Sequence, residues 1–103
     1  MICSLMCIAF AGQIVTADVT KYSPRETCPD RPCVMASGEL AYEGAIACPR
    51  GVKLRSIAII DGLVYKCHDR TNKRLDGRYD IFTSNYDEAI QWGVRSKNII
   101  LID

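Results

Sequence analysis

The chain carries one histidine, one tryptophan and a formal charge of only +1 over 103 residues. With so little net charge and no basic tail, a nucleic-acid binder is not favoured. There is no low-complexity segment, and 49% of the residues are hydrophobic, which excludes an intrinsically disordered chain. No C-x-x-C or H-x-x-x-H spacing occurs, so Cys28, Cys33, Cys67 and His68 do not read as a zinc site, and no metal or cofactor is expected. The absence of βαβ alternation and of internal repeats excludes a parallel α/β sheet and a solenoid. What remains is one small domain, near the size at which cross-links help.

Cysteine is what the chain has in plenty, with six. Cys3 and Cys7 lie in an N-terminal apolar run that is continuous for only about a dozen residues, too short to span a bilayer. Although no Lys or Arg precedes it, the run fits a secretory h-region, with Val15 and Ala17 at the small-residue positions of a cleavage site before Asp18. Residues 1–17 are therefore expected to be a signal peptide and 18–103 the domain, with no membrane span once the leader is gone; the alternative is a buried first strand. The four remaining cysteines, Cys28, Cys33, Cys48 and Cys67, are even in number and bound for an oxidising compartment. Two disulfides are expected, in any of three pairings.

Gln13–Tyr22 is rich in β-branched and aromatic residues and reads as the first strand, and Ser23–Pro32, with three prolines, as loop. Lys53–Ile60 reads as a strand that turns at Asp61-Gly62 into a hairpin partner ending at Cys67. One helix is signalled, with Ser84 as cap, Asp87 as capping-box partner, Ala89, Ile90 and Trp92 on its apolar side and Gly93 at its stop. Asn98–Ile102 is a final apolar strand. About six strands and one short helix near 85–92 imply a mainly β fold, a small barrel or sandwich.

The stretch Cys67–Phe82 carries the chemistry. It places Asp69 and Asp80 eleven residues apart at strand ends, joined by a loop bearing Arg70, Lys73, Arg74 and Arg78. Carboxylates on strand ends can face a cleft rigidly, with the cations as donors to a polar substrate. The alternative is a solvated loop that neutralises itself. His68 should point away from the Asp69 face, and Trp92 reads as core. Tyr22 and Tyr42 are placed to line a groove or to pack across strands.

D-R-T-N-K-R-L-D-G-R-Y-D-I-F, the E-A-I-Q-W-G helix and the closing N-I-I-L-I strand resemble the three-aspartate (3D) domain. C-P-R-G-V-K-L-R-S-I-A-I-I and A-S-G-E extend the resemblance to roughly Val19–Ile102. It implies a six-stranded double-psi β-barrel related to rare lipoprotein A and to the barrel of membrane-bound lytic transglycosylase A. It further implies a secreted, wall-associated protein, extracellular or periplasmic, whose partner is the glycan strand of peptidoglycan. Asp80 matches the acid/base of the transglycosylase branch and Asp69 the loop-start aspartate used by rare lipoprotein A. Substrate contacts are expected from Tyr22, Ser37, Arg70, Lys73 and Arg78. The family's first aspartate falls at Cys48, its T-A-S-G threonine at Met35 and its loop glycines at Thr71 and Asn72. In such a barrel Cys48 would bond Cys67, leaving Cys28 to Cys33. The implied activity is lytic cleavage of the β-1,4 bond between N-acetylmuramic acid and N-acetylglucosamine; the alternative is a non-catalytic, expansin-like or barwin-like wall-binding module.

Overall fold

In a computed structural model, residues 12–103 are described. They form a closed six-stranded barrel with the strand order β1-β5-β2-β4-β3-β6, β6 pairing back onto β1. The strands are β1 (Gly12–Tyr22), β2 (Ala45–Cys48), β3 (Ile57–Ile60), β4 (Leu63–Arg70), β5 (Tyr79–Phe82) and β6 (Arg95–Ile102). Two pairs, β1/β5 and β2/β4, run parallel; the other four are antiparallel. This is the mainly β, six-stranded double-psi arrangement expected. Of the expected leader, residues 1–11 lie outside the described residues, and residues 12–17 form the first half of β1, paired with β6. No helix among the described residues is long and apolar enough to cross a membrane.

Strict alternation builds the interior. Val19 on β1, Ile46 and Cys48 on β2, Ala58 and Ile60 on β3, Tyr79 and Ile81 on β5, and Ile99 and Leu101 on β6 form one buried cluster. Residues two apart share a face, so a one-residue slip of any strand would turn this set outward. A second buried cluster, Tyr22, Met35, Ala45, Ala47 and Phe82, takes in the opposite faces of β2 and β5 and the segment after β1.

Several element ends differ from the sequence reading for local reasons. Residues 24–27, read as loop, make one helical turn, α1 (Pro24–Thr27), started by a proline whose missing N–H costs nothing there. The strand expected over Lys53–Ile60 is confined to β3, because Arg55 takes a positive φ of 72° and breaks extended pairing. The hairpin turn is as read: Asp61 and Gly62 have φ of 52° and 77°, the left-handed pair that a two-residue type I′ turn needs. Helix α2 (Tyr86–Trp92) is capped by Asn85, whose side chain accepts from Glu88 N–H at 3.0 Å, one residue later than the expected Ser84. The Ser84 N–H instead donates to Glu43.

Candidate active site

The strand register fixes the site. On β2, Ala47 pairs with Asp69 of β4 on one side and with Asp80 of β5 on the other, and Asp80 pairs in turn with Thr20 of β1. Thr20, Asp80, Ala47 and Asp69 therefore form one row across four strands. Two strand spacings put the backbones of the aspartates about 10 Å apart, with only the Ala47 methyl between them. A β-bulge between Ile46 and Ala47 brings Asp69 into this register. The row opens into a cavity of about 250 Å³, whose lining includes both aspartates, Tyr22, Met35 and Thr71. The bend closed by Cys28 and Cys33 forms another part of that lining, with Arg31 beside it.

Each carboxylate is held differently. Asp69 Oδ1 accepts the backbone N–H groups of Ala36 (3.0 Å) and Arg70 (2.9 Å), which ties the 33–42 segment to β4. Asp80 Oδ1 accepts one hydroxyl, Thr20 Oγ1, at 2.9 Å. Burial raises the Asp80 pKa to about 6, aided by the charges of Glu26 and Asp69 and opposed by the Thr20 hydrogen bond and by Arg78. Beside them the Tyr22 phenol is pushed far above its ordinary range by burial first, then by Asp69 and Asp80.

The shift in Asp80 has a definite sign for stability. The folded state keeps this proton up to about pH 6, whereas its ordinary value is 3.8, so Asp80 costs the protein stability as pH climbs through that window. In urea unfolding at stepped pH, Asp80→Asn should gain on the wild type between pH 4 and 6 and hold that gain above. Thr20→Val removes the bond that favours the charged form. It should move the Asp80 titration upward by about one unit, read by NMR of the carboxyl carbon.

The remaining expected residues are distributed unevenly. Tyr22 and Arg70 line the cavity with the aspartates, but the Arg70 guanidinium is taken by the carbonyls of Pro49 (2.9 Å) and Val52. Lys73 and Arg74 are exposed on a 3₁₀ turn, Lys73–Leu75, and do not line it; Arg78 is half-buried, outside the lining, and acts on Asp80 through its charge. Ser37 is turned to His68, whose Nδ1 lies 3.0 Å from Ser37 Oγ and whose Nε2 lies 3.0 Å from Tyr42 Oη. His68 is thus fully packed, off the lining that Asp69 joins, and Tyr42 serves it rather than the cavity. Trp92 packs partly against the core and donates its indole N–H to Val19 O at 3.0 Å. Lys21 and Arg95 lie 4.4 and 4.0 Å from its ring centroid, so the indole face is already used.

Cys48 and Cys67 are bonded in the barrel interior, and Cys28 and Cys33 are bonded at the cavity wall. Sequence reasoning passed over Thr20, Ala47, Thr27 and Arg31. Two of these had a signal: Thr20 is two residues from Tyr22 on a strand, and Ala45 and Ala47 alternate with Ile46 and Cys48, marking a face of small residues. Among the described residues no group of His, Cys, Asp and Glu is arranged to hold a metal ion. No family model matches the chain, and no curated protein matches it.

Proposed function

We propose that this is a secreted, peptidoglycan-active protein of the three-aspartate domain type. Its reaction is lytic cleavage of the β-1,4 bond between N-acetylmuramic acid and N-acetylglucosamine. The observation that carries the reading is Asp80 and Asp69 on either side of Ala47 in the lining of one cavity, with burial raising the Asp80 carboxyl to about 6. A carboxyl that is protonated in mild acid and sits in a cleft is suited to general-acid work. Asp80 gives its proton to the leaving glycosidic oxygen as the C1–O bond breaks. The muramoyl C6 hydroxyl then closes on C1, forming the 1,6-anhydro ring and returning its proton to the Asp80 carboxylate. The nucleophile belongs to the substrate, so one acid/base suffices where ordinary glycosidases need two carboxylates. Asp69, fixed by two backbone N–H groups, orients the sugar from the far side of Ala47. Two disulfides in so small a chain support an oxidising compartment outside the cytoplasm.

The wall-binding alternative draws on cysteine at position 48. That side chain lies in the barrel core, bonded to Cys67, and does not line the cavity, so its identity bears little on contact with a glycan. The deciding experiment is mass spectrometry of the soluble fraction after incubation of purified peptidoglycan with the protein. Anhydro-muropeptides are expected, with release declining above pH 6. Co-sedimentation with murein and no soluble product would make the domain a binding module; neither binding nor product would remove the glycan reading altogether.

A further inference from the structure

Two buried hydroxyls, Tyr22 Oη and Thr71 Oγ1, have no hydrogen-bond partner among the described residues. Their residues are 8% and 6% exposed, and both line the cavity that holds Asp69 and Asp80. Leaving such a group unpaired destabilises the fold, so two in one cavity mark the place where a bound molecule supplies the missing partners. Several polar groups around them already have partners. Thr27 donates to Ser23 O, Arg31 to Thr27 O and Arg70 to Pro49 O, while Asn72 Oδ1 accepts the Arg74 N–H.

The chemistry of the missing group follows from its surroundings. Burial and the two neighbouring carboxylates keep the Tyr22 phenol protonated, so it is a donor and asks for an acceptor. The lining sets Asp69 and Asp80 against Arg31 and Arg70, charges that balance, so a neutral acceptor fits it. Thr71 can then take a donor. The same lining has an apolar part: Val34, Met35, Ala47 and the Cys28–Cys33 bridge. A neutral group offering a carbonyl, an N–H and a methyl is a secondary acetamide.

We propose that Tyr22 and Thr71 form a subsite for the acetamido group of a 2-acetamido sugar. Tyr22 donates to the carbonyl oxygen, Thr71 accepts from the amide N–H, and the methyl rests against Met35 and the disulfide. The proposal rests on the glycan reading above and adds to it the substituent that the site selects.

The test compares two neutral tetrasaccharides differing at C2, chitotetraose (acetamido) and cellotetraose (hydroxyl). Calorimetric titration would use the wild type, Tyr22→Phe and Thr71→Val, with melting temperatures alongside. The wild type should bind chitotetraose at least tenfold more tightly, since an unsatisfied polar partner is what rejects the analogue. Each variant should shrink that preference to within about threefold while melting no lower than the wild type, because each deletes a group with no bond to lose. Equal binding of the two sugars by the wild type, or a preference that survives both substitutions, overturns the subsite and leaves the glycan reading standing. Failure of the wild type to bind either sugar or whole peptidoglycan overturns both. A lower melting temperature with both sugars weakened alike would assign the hydroxyls to the fold and also overturn the proposal.

Discussion

Asp80→Asn should lower release of anhydro-muropeptides by about 10²–10⁴-fold, the usual worth of a positioned general acid. It should leave sedimentation with murein nearly unchanged. The substitution is close to isosteric, and the Thr20 hydroxyl can still donate to the amide oxygen as it does to the carboxylate at 2.9 Å. Removing a carboxylate that burial disfavours makes the variant at least as stable as the wild type at pH 7, so lost turnover cannot be laid to unfolding. Asp69→Asn is the useful contrast. Its oxygen can keep the Ala36 and Arg70 N–H bonds, so the loop stays in place and the loss should be smaller. Full activity in Asp80→Asn, measured by mass spectrometry of the digest, would remove this residue from the chemistry.

The second large effect is on stability. Cys48 and Cys67 join parallel neighbours inside the core and close a loop of 19 residues in sequence separation. Chain-entropy reasoning gives such a bridge about 3 kcal/mol, and the shorter Cys28–Cys33 bridge about 2 kcal/mol. The double variant Cys48→Ala with Cys67→Ala should therefore melt about 10–20 °C lower. The corresponding pair at 28 and 33 should lose less in melting temperature, yet more in ligand affinity, because its bend lines the cavity. Differential scanning calorimetry beside glycan titration separates the two. Equal melting for all three proteins would mean that neither bridge constrains the unfolded chain.

Much of this architecture was legible because local signals and global pairing agree. Asp61-Gly62 needs two left-handed residues and supplies them, and the apolar alternation of β6 shows in Ile99 and Leu101. The helix was legible but its cap was not, since Ser84 and Asn85 are equally able caps and only Glu43, distant in sequence, engages Ser84. The loop cations misled for a related reason. In sequence Arg70 is one charge among four, whereas in the fold it serves the carbonyls of the 49–52 turn, a contact no spacing reveals. Ala47 was invisible as a site residue because its importance is purely geometric: it is the gap that lets two aspartates from different strands face one cavity. The burial of His68 depends on Ser37 and Tyr42, which only the folded 33–42 segment delivers.

The strand order also governs how the molecule comes into being. Among the described strands only the β3/β4 hairpin joins neighbours in sequence; Thr20 meets Asp80 sixty residues away, and Thr16 meets Asn98 across eighty-two. Such pairings close long loops before any contact rewards them, placing folding in the range of milliseconds to seconds. The row of Thr20, Asp80, Ala47 and Asp69 needs β1, β5, β2 and β4 all in register. The cavity thus cannot exist in a partly assembled barrel, and the burial that raises the Asp80 carboxyl is complete only when the whole chain has arrived.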